Sequence, residues 1–477
     1  MLNQIIDVLM NIMDAFGASI IVPFVIFIIA LFMKVSLKKA FMSAVNAGIG
    51  LTGFNMLIGA YTPILTPVVE RMVEFTGVNL RILDTGWQAT SIVAYSTQVG
   101  MVFLGLGLLI QIVLFVLKFT NVFMASDMWN NYSFMLWGSM LYIVTGNLLL
   151  SIGLMVQGNL FTLIFSELLA KRWGNYYGYP GTTITAPHDV VQLPFALLID
   201  AILDKLGAGK IKWDPKSVQN KLGFLGDPTI LGFMLGIILG FAGNFMRLGE
   251  LAAWGEIMQV GIATAAVMAI FPKIGGVFAS AFTAITEVSR KSAKSSSGGR
   301  QWYLAINDAA GYGEPATLTT GLILIPIILV LAIILPGNET LPMVDLIAIP
   351  YIIQPIIAVS NGNMFKSLIS STILLVINLY LITAVAPIFT EVAISVGVSI
   401  PTGAFMIASF VVLGNYFLGT LFLIFMTQNP ILIGLSVLVY LATLIISKTK
   451  KEAIVDYIER KAVNQGKTVD ETVKQRE

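Results

Sequence analysis

The sequence contains no cysteine and only one histidine, and these absences remove several classes of chemistry. Without cysteine there is no disulfide, no thiolate nucleophile and no cysteine-ligated metal in this chain. One imidazole leaves little scope for a histidine-ligated metal, and no phosphate-cradling glycine-rich loop precedes a Lys-Ser or Lys-Thr pair. We therefore assign no catalytic residue, metal or cofactor to this chain, and the net charge of +2 gives no reason to expect a nucleic-acid partner.

Charge of either sign is also scarce. Charged residues make up 11% of the chain and hydrophobic residues 57%, whereas a typical soluble domain has about 25% charged residues. The charge-free runs are 15–33, 40–69, 85–117, 128–166, 228–246, 315–338, 367–390 and 392–447. Since a spanning helix needs roughly 17–25 mainly apolar residues, the runs predict about ten to twelve passes, and the last run is long enough for two, with a break near Asn429-Pro430. We predict an all-α polytopic membrane protein with about 11 transmembrane helices and additional re-entrant segments.

Basic residues predict which loops are cytoplasmic. They are concentrated in Lys205–Lys221, in Arg290–Arg300 and in the tail from Lys448, which has eight basic and six acidic residues. Pro336–Asp345 has neither Lys nor Arg and is expected outside. This places the amino terminus outside and the carboxyl terminus in the cytoplasm, which requires an odd number of passes. The number of passes is odd only if one later segment enters and leaves the membrane by the same face. The expected division is a membrane domain over 1–447 and a soluble tail over 448–477, with no cleavable signal peptide.

Four polar islands interrupt the apolar sequence, at 84–91, 127–132, 187–192 and 307–315. They contain carboxylates, amides, the imidazole and two tryptophans, which suit a polyhydroxylated ligand: polar groups pair with hydroxyls and aromatic faces pack on C–H groups. The candidate substrate-binding residues are His188, Asp189, Gln192, Asp308, Glu314, Asp84, Trp87, Gln88, Trp129, Asn130 and Asn131. The islands carry no Lys or Arg, so a neutral linear polyol is favoured over an anion such as ascorbate.

The island around His188 is the strongest candidate, because Pro187 breaks the helix beside an ionisable pair at membrane depth. We expect His188 to bind a substrate hydroxyl, with Asp189 or Gln192 orienting the imidazole, and Asp308 to reach the same cavity. Structural alternatives stay open: the acidic residues of the other islands can cap helices, and the tryptophans can belong to the interfacial aromatic belt. A proton relay through His188, Asp189 and Asp308 is a second functional possibility.

A faint internal repeat accompanies the islands. Gly53-Phe54 resembles Gly232-Phe233, and Gln98-Val99-Gly100 recurs as Gln259-Val260-Gly261. Inverted repeats around a midplane site are a recurring transporter design. The expected repeats cover about 15–205 and about 222–390.

The islands and neighbouring motifs resemble the galactitol-type IIC membrane component of the phosphoenolpyruvate-dependent sugar phosphotransferase system, in the ascorbate–galactitol superfamily. The matching segments, in chain order, are 49–53 with Gly59, 84–87, 127–130, 187–188, 226–228, 336–338 with 341–342, and 362–363. The chain departs from the family at Asn131, where a histidine often follows the Asp-x-Trp-Asn motif, and at Gly313-Glu314-Pro315. These departures leave the identity of the polyol open.

The resemblance implies properties that composition does not. The chain would form a core domain and a V-shaped dimerisation domain, act as a homodimer among membrane lipids in the bacterial cell membrane, and move the core like an elevator. A separate IIB subunit, charged through IIA, would phosphorylate the sugar alcohol from a phosphocysteine, in keeping with the absence of cysteine here. The alternative from another functional class is a proton-coupled secondary transporter of a polyol or sugar, and the basic loops are candidate docking surfaces for IIB.

Overall fold

A computed structural model describes residues 18–32, 34–76, 80–211, 213–215, 227–295, 300–398, 400 and 404–463. Helices dominate, as expected for an apolar chain whose backbone groups must be satisfied internally in lipid. Six helical segments of the described residues are long and apolar enough to span a membrane: Gln98–Val116, Leu148–Tyr177, Leu251–Phe278, Pro315–Ile334, Met364–Ser395 and Pro430–Thr449. The predicted total of about 11 spans stays a prediction.

Four helices form a bundle of their own: α1 (Ala18–Phe32), α2 (Leu37–Thr76), α9 (Pro228–Gly243) and α10 (Leu251–Ser295). Small residues allow their backbones to approach closely. A Cβ added at Gly50 would lie 2.6 Å from Phe278 Cβ, and one at Gly236 would lie 2.6 Å from the carbonyl oxygen of Val260.

The remaining helices of the first half pack around α6. They are α3 (Trp87–Ser96), α4 (Gln98–Val116), α5 (Tyr132–Thr145), α6 (Leu148–Tyr177), the single turn α7 (Pro187–Val190) and α8 (Leu193–Lys205). A 3-10 segment, Met124–Asn131, precedes α5. Asn147 begins α6 by accepting a hydrogen bond from the Leu150 backbone N–H at 3.0 Å.

The second half repeats much of this order around α15. Its helices are α11 (Ala309–Tyr312), α12 (Pro315–Ile334), α13 (Ile349–Ile352), α14 (Gln354–Val359), α15 (Met364–Ser395) and α16 (Tyr416–Met426). Two more helices follow, α17 (Pro430–Thr449) and the charged α18 (Lys451–Val463). The break predicted near Asn429-Pro430 is confirmed, since it separates α16 from α17.

Among the described residues, six short strands form two three-stranded parallel sheets. The strands are β1 (Ile82–Asp84), β2 (Val122–Phe123), β3 (Thr182–Ile184), β4 (Tyr303–Ile306), β5 (Thr340–Leu341) and β6 (Met406–Ala408). One sheet has the order β5-β1-β6 and the other β2-β4-β3. Each sheet therefore places one strand from one half of the chain between two from the other half.

The sheet registers fix the two halves against each other. In one sheet Ile82 pairs with Thr340 and with Met406, while in the other Leu304 pairs with Phe123 and with Thr182. Strand β3 leads into the single helical turn α7 and then α8, while β6 leads into a non-helical turn and then α16, so each forms a strand–turn–helix hairpin. The hairpins meet at their turns: Asn415 Nδ2 donates to the carbonyl of Pro187 at 2.8 Å, and the Tyr416 hydroxyl donates to that of Val191 at 3.3 Å.

Candidate functional site

The polar residues that follow the sheet β2-β4-β3 form one buried group. Parallel strands end at the same edge of a sheet, which brings together Asp127 after β2, Asp308 after β4 and His188 after β3. All three residues are buried. The sequence indicated polar breaks at these positions, and the sheet brings them to one place.

His188 and Asp308 are in direct contact. The imidazole Nε2 lies 2.9 Å from Asp308 Oδ2, and the two side chains are 7% and 5% exposed. The prediction that Asp308 reaches the neighbourhood of His188 is confirmed. Within the described residues the other ring nitrogen, Nδ1, is buried without a hydrogen-bond partner. If Nε2 carries the proton towards the carboxylate, Nδ1 is left as an acceptor.

Asp127 extends the group through amide and hydroxyl donors. Asn130 Nδ2 donates to Asp127 Oδ2 at 2.8 Å and lies 3.4 Å from Asp308 Oδ1. The hydroxyl of Thr185, two residues before Pro187, donates to the same Asp127 oxygen at 2.9 Å. These contacts connect all three strand ends, and they place Asn130 between two carboxylates.

Asp189 and Gln192 complete the group, but neither orients the imidazole as predicted. Gln192 Nε2 donates to the backbone carbonyl of His188 at 3.1 Å, so it holds the turn and leaves the ring to Asp308. Both Asp189 oxygens and Gln192 Oε1 are buried without a hydrogen-bond partner among the described residues. Both side chains are 0% exposed. This part of the group therefore has unused capacity to accept hydrogen bonds.

His188, Asp189 and Asp308 lie close enough together to bind one small ligand. One ligand atom each from His188, Asp189 and Asp308 lies within 4.8 Å of the other two. Such a set suits several hydroxyl donors, and by geometry a cation as well. No Lys or Arg forms an ion pair with these carboxylates in the part of the chain that the structure describes.

Gln354 supports the group from behind. Its Nε2 donates to the carbonyl of Asp308 at 2.7 Å, and its Oε1 accepts from Trp173 Nε1 at 3.1 Å. A Cβ added at Gly311 would lie 2.1 Å from that Oε1, so any larger residue there would have to displace the Gln354 side chain. Thr185 and Gln354 were missed from the sequence, because neither belongs to an ionisable cluster. Asp127 was recognised within an island but not selected as a site residue.

A second buried carboxylate cluster follows the other sheet. Asp84 accepts four backbone N–H groups: Gly86 at 3.0 Å, Asp345 at 2.8 Å, Met343 at 3.1 Å and Phe410 at 3.1 Å. Asp345 accepts from the Trp87 N–H at 3.0 Å, the Val411 N–H at 3.2 Å and the Ser409 hydroxyl at 2.5 Å.

The two clusters differ in what satisfies their carboxylates. Backbone groups and Ser409 supply the donors to Asp84 and Asp345, whereas Asp189 accepts no well-formed hydrogen bond within the described residues. Asp84 and Trp87 were candidate substrate ligands, but here both bond the segment after β5, and Asp84 also bonds the turn after β6. Asp345 was missed because it lies at the end of an expected loop, although its side chain is buried.

The other candidate residues have structural contacts or lie outside the described side chains. Glu314 caps α12, accepting from the Thr317 N–H at 2.8 Å and from the Tyr176 hydroxyl at 2.9 Å. Asn131 Oδ1 accepts from Gln111 Nε2 at 2.8 Å. The side chains of Gln88 and Trp129 are outside the described part of the structure.

Comparison with known proteins adds a family to this geometry. Residues 11–403 match the family described as "PTS system sugar-specific permease component". The chain is 27% identical over 392 residues to the "PTS system galactitol-specific EIIC component" of Escherichia coli (strain K12), covering 82% of this chain and 85% of that protein, with the same values for the Escherichia coli O157:H7 protein. It is 30% identical over 402 residues to a "Putative permease IIC component" of Escherichia coli (strain K12), covering 84% and 90% of the two chains.

Proposed function

The chain belongs to the sugar-specific permease components of the phosphotransferase system, and from this we propose that it carries a linear, galactitol-like sugar alcohol across the bacterial cell membrane for phosphorylation by a separate IIB subunit. The substrate would bind at His188, Asp189, Gln192 and Asp308. Relatives named as galactitol-specific support a polyol as the substrate class.

The unpartnered acceptors around His188 carry the proposal. A buried acceptor without a donor costs roughly 1–3 kcal/mol, so the group is completed by a ligand rich in donors. A polyol supplies one hydroxyl donor for each of Asp189, Gln192 Oε1 and His188 Nδ1. A neutral ligand also avoids placing a further negative charge beside Asp127, Asp189 and Asp308.

The sequence predicted no catalytic residue in this chain, whereas this geometry supports His188 as a base for phosphoryl transfer. The substrate hydroxyl oxygen would attack the phosphorus of the phosphocysteine on IIB, the S–P bond would break and the thiolate would leave. The hydroxyl proton would pass to His188 Nδ1, and Asp308 would stabilise the resulting imidazolium through Nε2. This role for His188 is compatible with binding of the hydroxyl in the preceding step.

Direct binding measurements test the substrate class. Purified protein is titrated with galactitol, other five- and six-carbon alditols, hexoses and ascorbate. We expect the tightest binding for an alditol, because each of its hydroxyls can donate to a carboxylate or amide oxygen. Tightest binding to ascorbate would contradict the charge argument, and tightest binding to a pyranose would contradict the choice of a linear polyol.

Proton-coupled secondary transport is the second candidate, because a buried imidazole–carboxylate pair next to Asp189 also suits a proton relay. Proteoliposomes without IIB distinguish the two. A proton gradient that drives accumulation of unmodified polyol would favour the symporter, and a gradient without effect favours the phosphotransferase component.

The wider assembly is proposed from the packing and from the family. The bundle of α1, α2, α9 and α10 suits a V-shaped dimerisation domain of a homodimer, and the other helices a core that moves like an elevator. The exchange of strands between the halves supports two inverted repeats. The first covers about 15–205, and the second begins near 222. Because β6 and α16 take up the order of β3 and α8 in the first repeat, we place the end of the second repeat beyond 390. The tail 448–477 would be cytoplasmic and the amino terminus outside.

The proposed IIB docking loops lie largely outside the described residues. Lys212, Lys216 and Lys221 are outside them, as are the side chains of residues 285–299. Charge reversal at those three lysines tests docking: a slower phosphorylation rate with a weaker salt dependence would support it. An unchanged rate and salt dependence would mean that the charges only set the topology.

A further inference from the structure

A cavity lies away from both carboxylate clusters, between α6, the end of α17 and the start of α18. The empty space there is about 340 Å³, which includes space open to the surroundings, so the cavity is a shallow surface groove. The floor is apolar and includes Leu160, Leu163 and Leu444, while Lys448 and Lys451 lie among its polar lining residues. The cavity thus combines a hydrocarbon-like surface with cationic groups.

The charges at the polar end do not cancel. Lys451 Nζ lies 2.5 Å from Glu167 Oε1, and this buried carboxylate also accepts from the Thr120 hydroxyl at 3.0 Å. Lys448 is exposed, donates to the carbonyl of Phe119 and lies 5.3 Å from the centre of the Phe119 ring. In the described part of the chain Lys448 forms no ion pair with a carboxylate, and Glu167 is the one carboxylate that lines the cavity beside the two lysines, so the polar end carries a net positive charge.

The cavity is placed where a helix would leave the membrane. Helix α17 ends at Thr449, and its most apolar segment has a mean hydropathy of 2.3. Only 17% of that segment is buried within the protein. The charged α18 then turns along α6, where Asn175 Nδ2 donates to Glu459 at 3.2 Å. Lysines at such a boundary lie at the level of lipid headgroups, with their stems along apolar surface.

We propose that this cavity binds an anionic phospholipid, with one acyl chain against the leucine floor and the phosphate beside Lys448. The combination of a net positive charge, an apolar floor and an outward-facing helix end matches the two parts of such a lipid. Binding would hold the corner between α17 and α18 against α6. The site is independent of the polyol site and of the phosphoryl-transfer reaction.

Native mass spectrometry of the purified full chain in detergent tests the site, with phosphatidylglycerol as the probe and phosphatidylcholine in parallel. Lys448→Gln removes the net positive charge, and Lys450→Gln is the matched control, because Lys450 is an exposed neighbour that does not line the cavity. We expect Lys448→Gln to lower retention of phosphatidylglycerol about five-fold, the effect of one lysine near a membrane surface. Lys450→Gln should leave retention almost unchanged.

A second variant tests the floor without changing charge. Leu444→Trp should fill the cavity and abolish preferential retention of phosphatidylglycerol. Equal losses in Lys448→Gln and Lys450→Gln, or equal retention of phosphatidylcholine by the native chain, would overturn the proposal, since either outcome means diffuse attraction. Displacement of phosphatidylglycerol by inorganic phosphate alone would overturn it in favour of a site for free anions. Unchanged retention in both Lys448→Gln and Leu444→Trp would likewise overturn it.

Discussion

His188 receives its position from a carboxylate in the other half of the chain. Asp308 holds Nε2 at 2.9 Å, and the Gln192 amide holds the backbone carbonyl, so ring and turn are fixed by different groups. An imidazole fixed in this way can keep one tautomer and present Nδ1 to a ligand. The proposed role of His188 therefore depends on Nδ1 and its unused capacity to accept a hydrogen bond.

Replacing His188 with glutamine separates binding from proton transfer. Glutamine can still hydrogen-bond a hydroxyl, but it cannot accept a proton near neutral pH. We expect polyol affinity within a few-fold of the native value and a phosphorylation rate lower by about 10²–10⁴-fold. Calorimetry and single-turnover transfer from phosphorylated IIB measure the two quantities. A native transfer rate in His188→Gln would contradict the role as a base.

The two carboxylate clusters should respond differently to the same chemical change. Asp189→Asn should weaken polyol binding with little loss of stability, because Asp189 accepts no well-formed hydrogen bond among the described residues. Asp345→Asn should lower the free energy of unfolding by about 1–3 kcal/mol, because an amide nitrogen would replace an acceptor of a backbone N–H. Thermal unfolding and polyol titration of both variants make the comparison. The reverse pattern would assign the polyol to the Asp84–Asp345 cluster.

The sequence indicates that buried acidic residues exist here but not what satisfies them. Asp84 and Asp189 look alike in the sequence, since each follows or lies within a polar break in an apolar run. Their difference comes from the fold: Asp84 meets N–H groups of Met343, Asp345 and Phe410, which are distant in the chain. Side-chain type predicts the chemistry that is available, and long-range backbone contacts decide which groups remain free for a ligand.

Among the elements, the hairpin that carries His188 is tied to α15 by a buried ion cluster. Lys366 Nζ contacts Asp200 Oδ1 and lies 2.7 Å from Asp204 Oδ1, both on α8. The Lys366 and Asp200 side chains are 1% and 4% exposed. The chain after α8 is attached to the same place, because Asn363 Nδ2 donates to the carbonyl of Ile211 at 2.8 Å.

Lys366→Met should destabilise the protein strongly. Removing one partner of a buried ion pair leaves an uncompensated charge and costs about 3–5 kcal/mol. Thermal unfolding measures the loss, and Lys205→Met on the exposed side of α8 is the control with little expected effect. Adding Asp200→Asn to Lys366→Met should recover part of the stability. A double variant no more stable than Lys366→Met would contradict the pairing.

Gly311→Ala tests the support behind Asp308. The new methyl group would collide with Gln354 Oε1, and Gln354 holds the carbonyl of Asp308. We expect weaker polyol binding, by about ten-fold or more, if Asp308 shifts by even a fraction of an ångström. Gly255→Ala on α10 is the control, because a Cβ there meets no atom within 4 Å. Equal affinities of the two variants would show that Gln354 does not position Asp308.

The sequence predicts where helices are interrupted better than it predicts the short strands that lie at those interruptions. Pro187 and Asn429-Pro430 mark real interruptions. The six strands are missed because they are two to four residues long, too short for an alternating pattern of apolar and polar residues to be recognised. They nevertheless bring Asp127, His188 and Asp308 together, which explains why islands far apart in the chain form one site.

Across the whole molecule, the exchange of strands makes the site a joint product of both halves. Asp308 comes from the second half, and Asp127 and His188 come from the first. The repeated dipeptides do not mark this relation: Gly53 lies on the long helix α2, whereas Gly232 lies on the short helix α9. The polar breaks around His188 and Asp308 therefore indicate how the two halves correspond better than the repeated dipeptides do.

The chemical state of the delivered substrate tests the central claim most directly. Proteoliposomes that contain the purified chain are loaded inside with phosphorylated IIB and given labelled galactitol outside, with and without a proton gradient. We predict that polyol phosphate accumulates inside, that accumulation needs phosphorylated IIB, and that it does not need the gradient. Accumulation of free galactitol driven by the gradient alone would contradict the account.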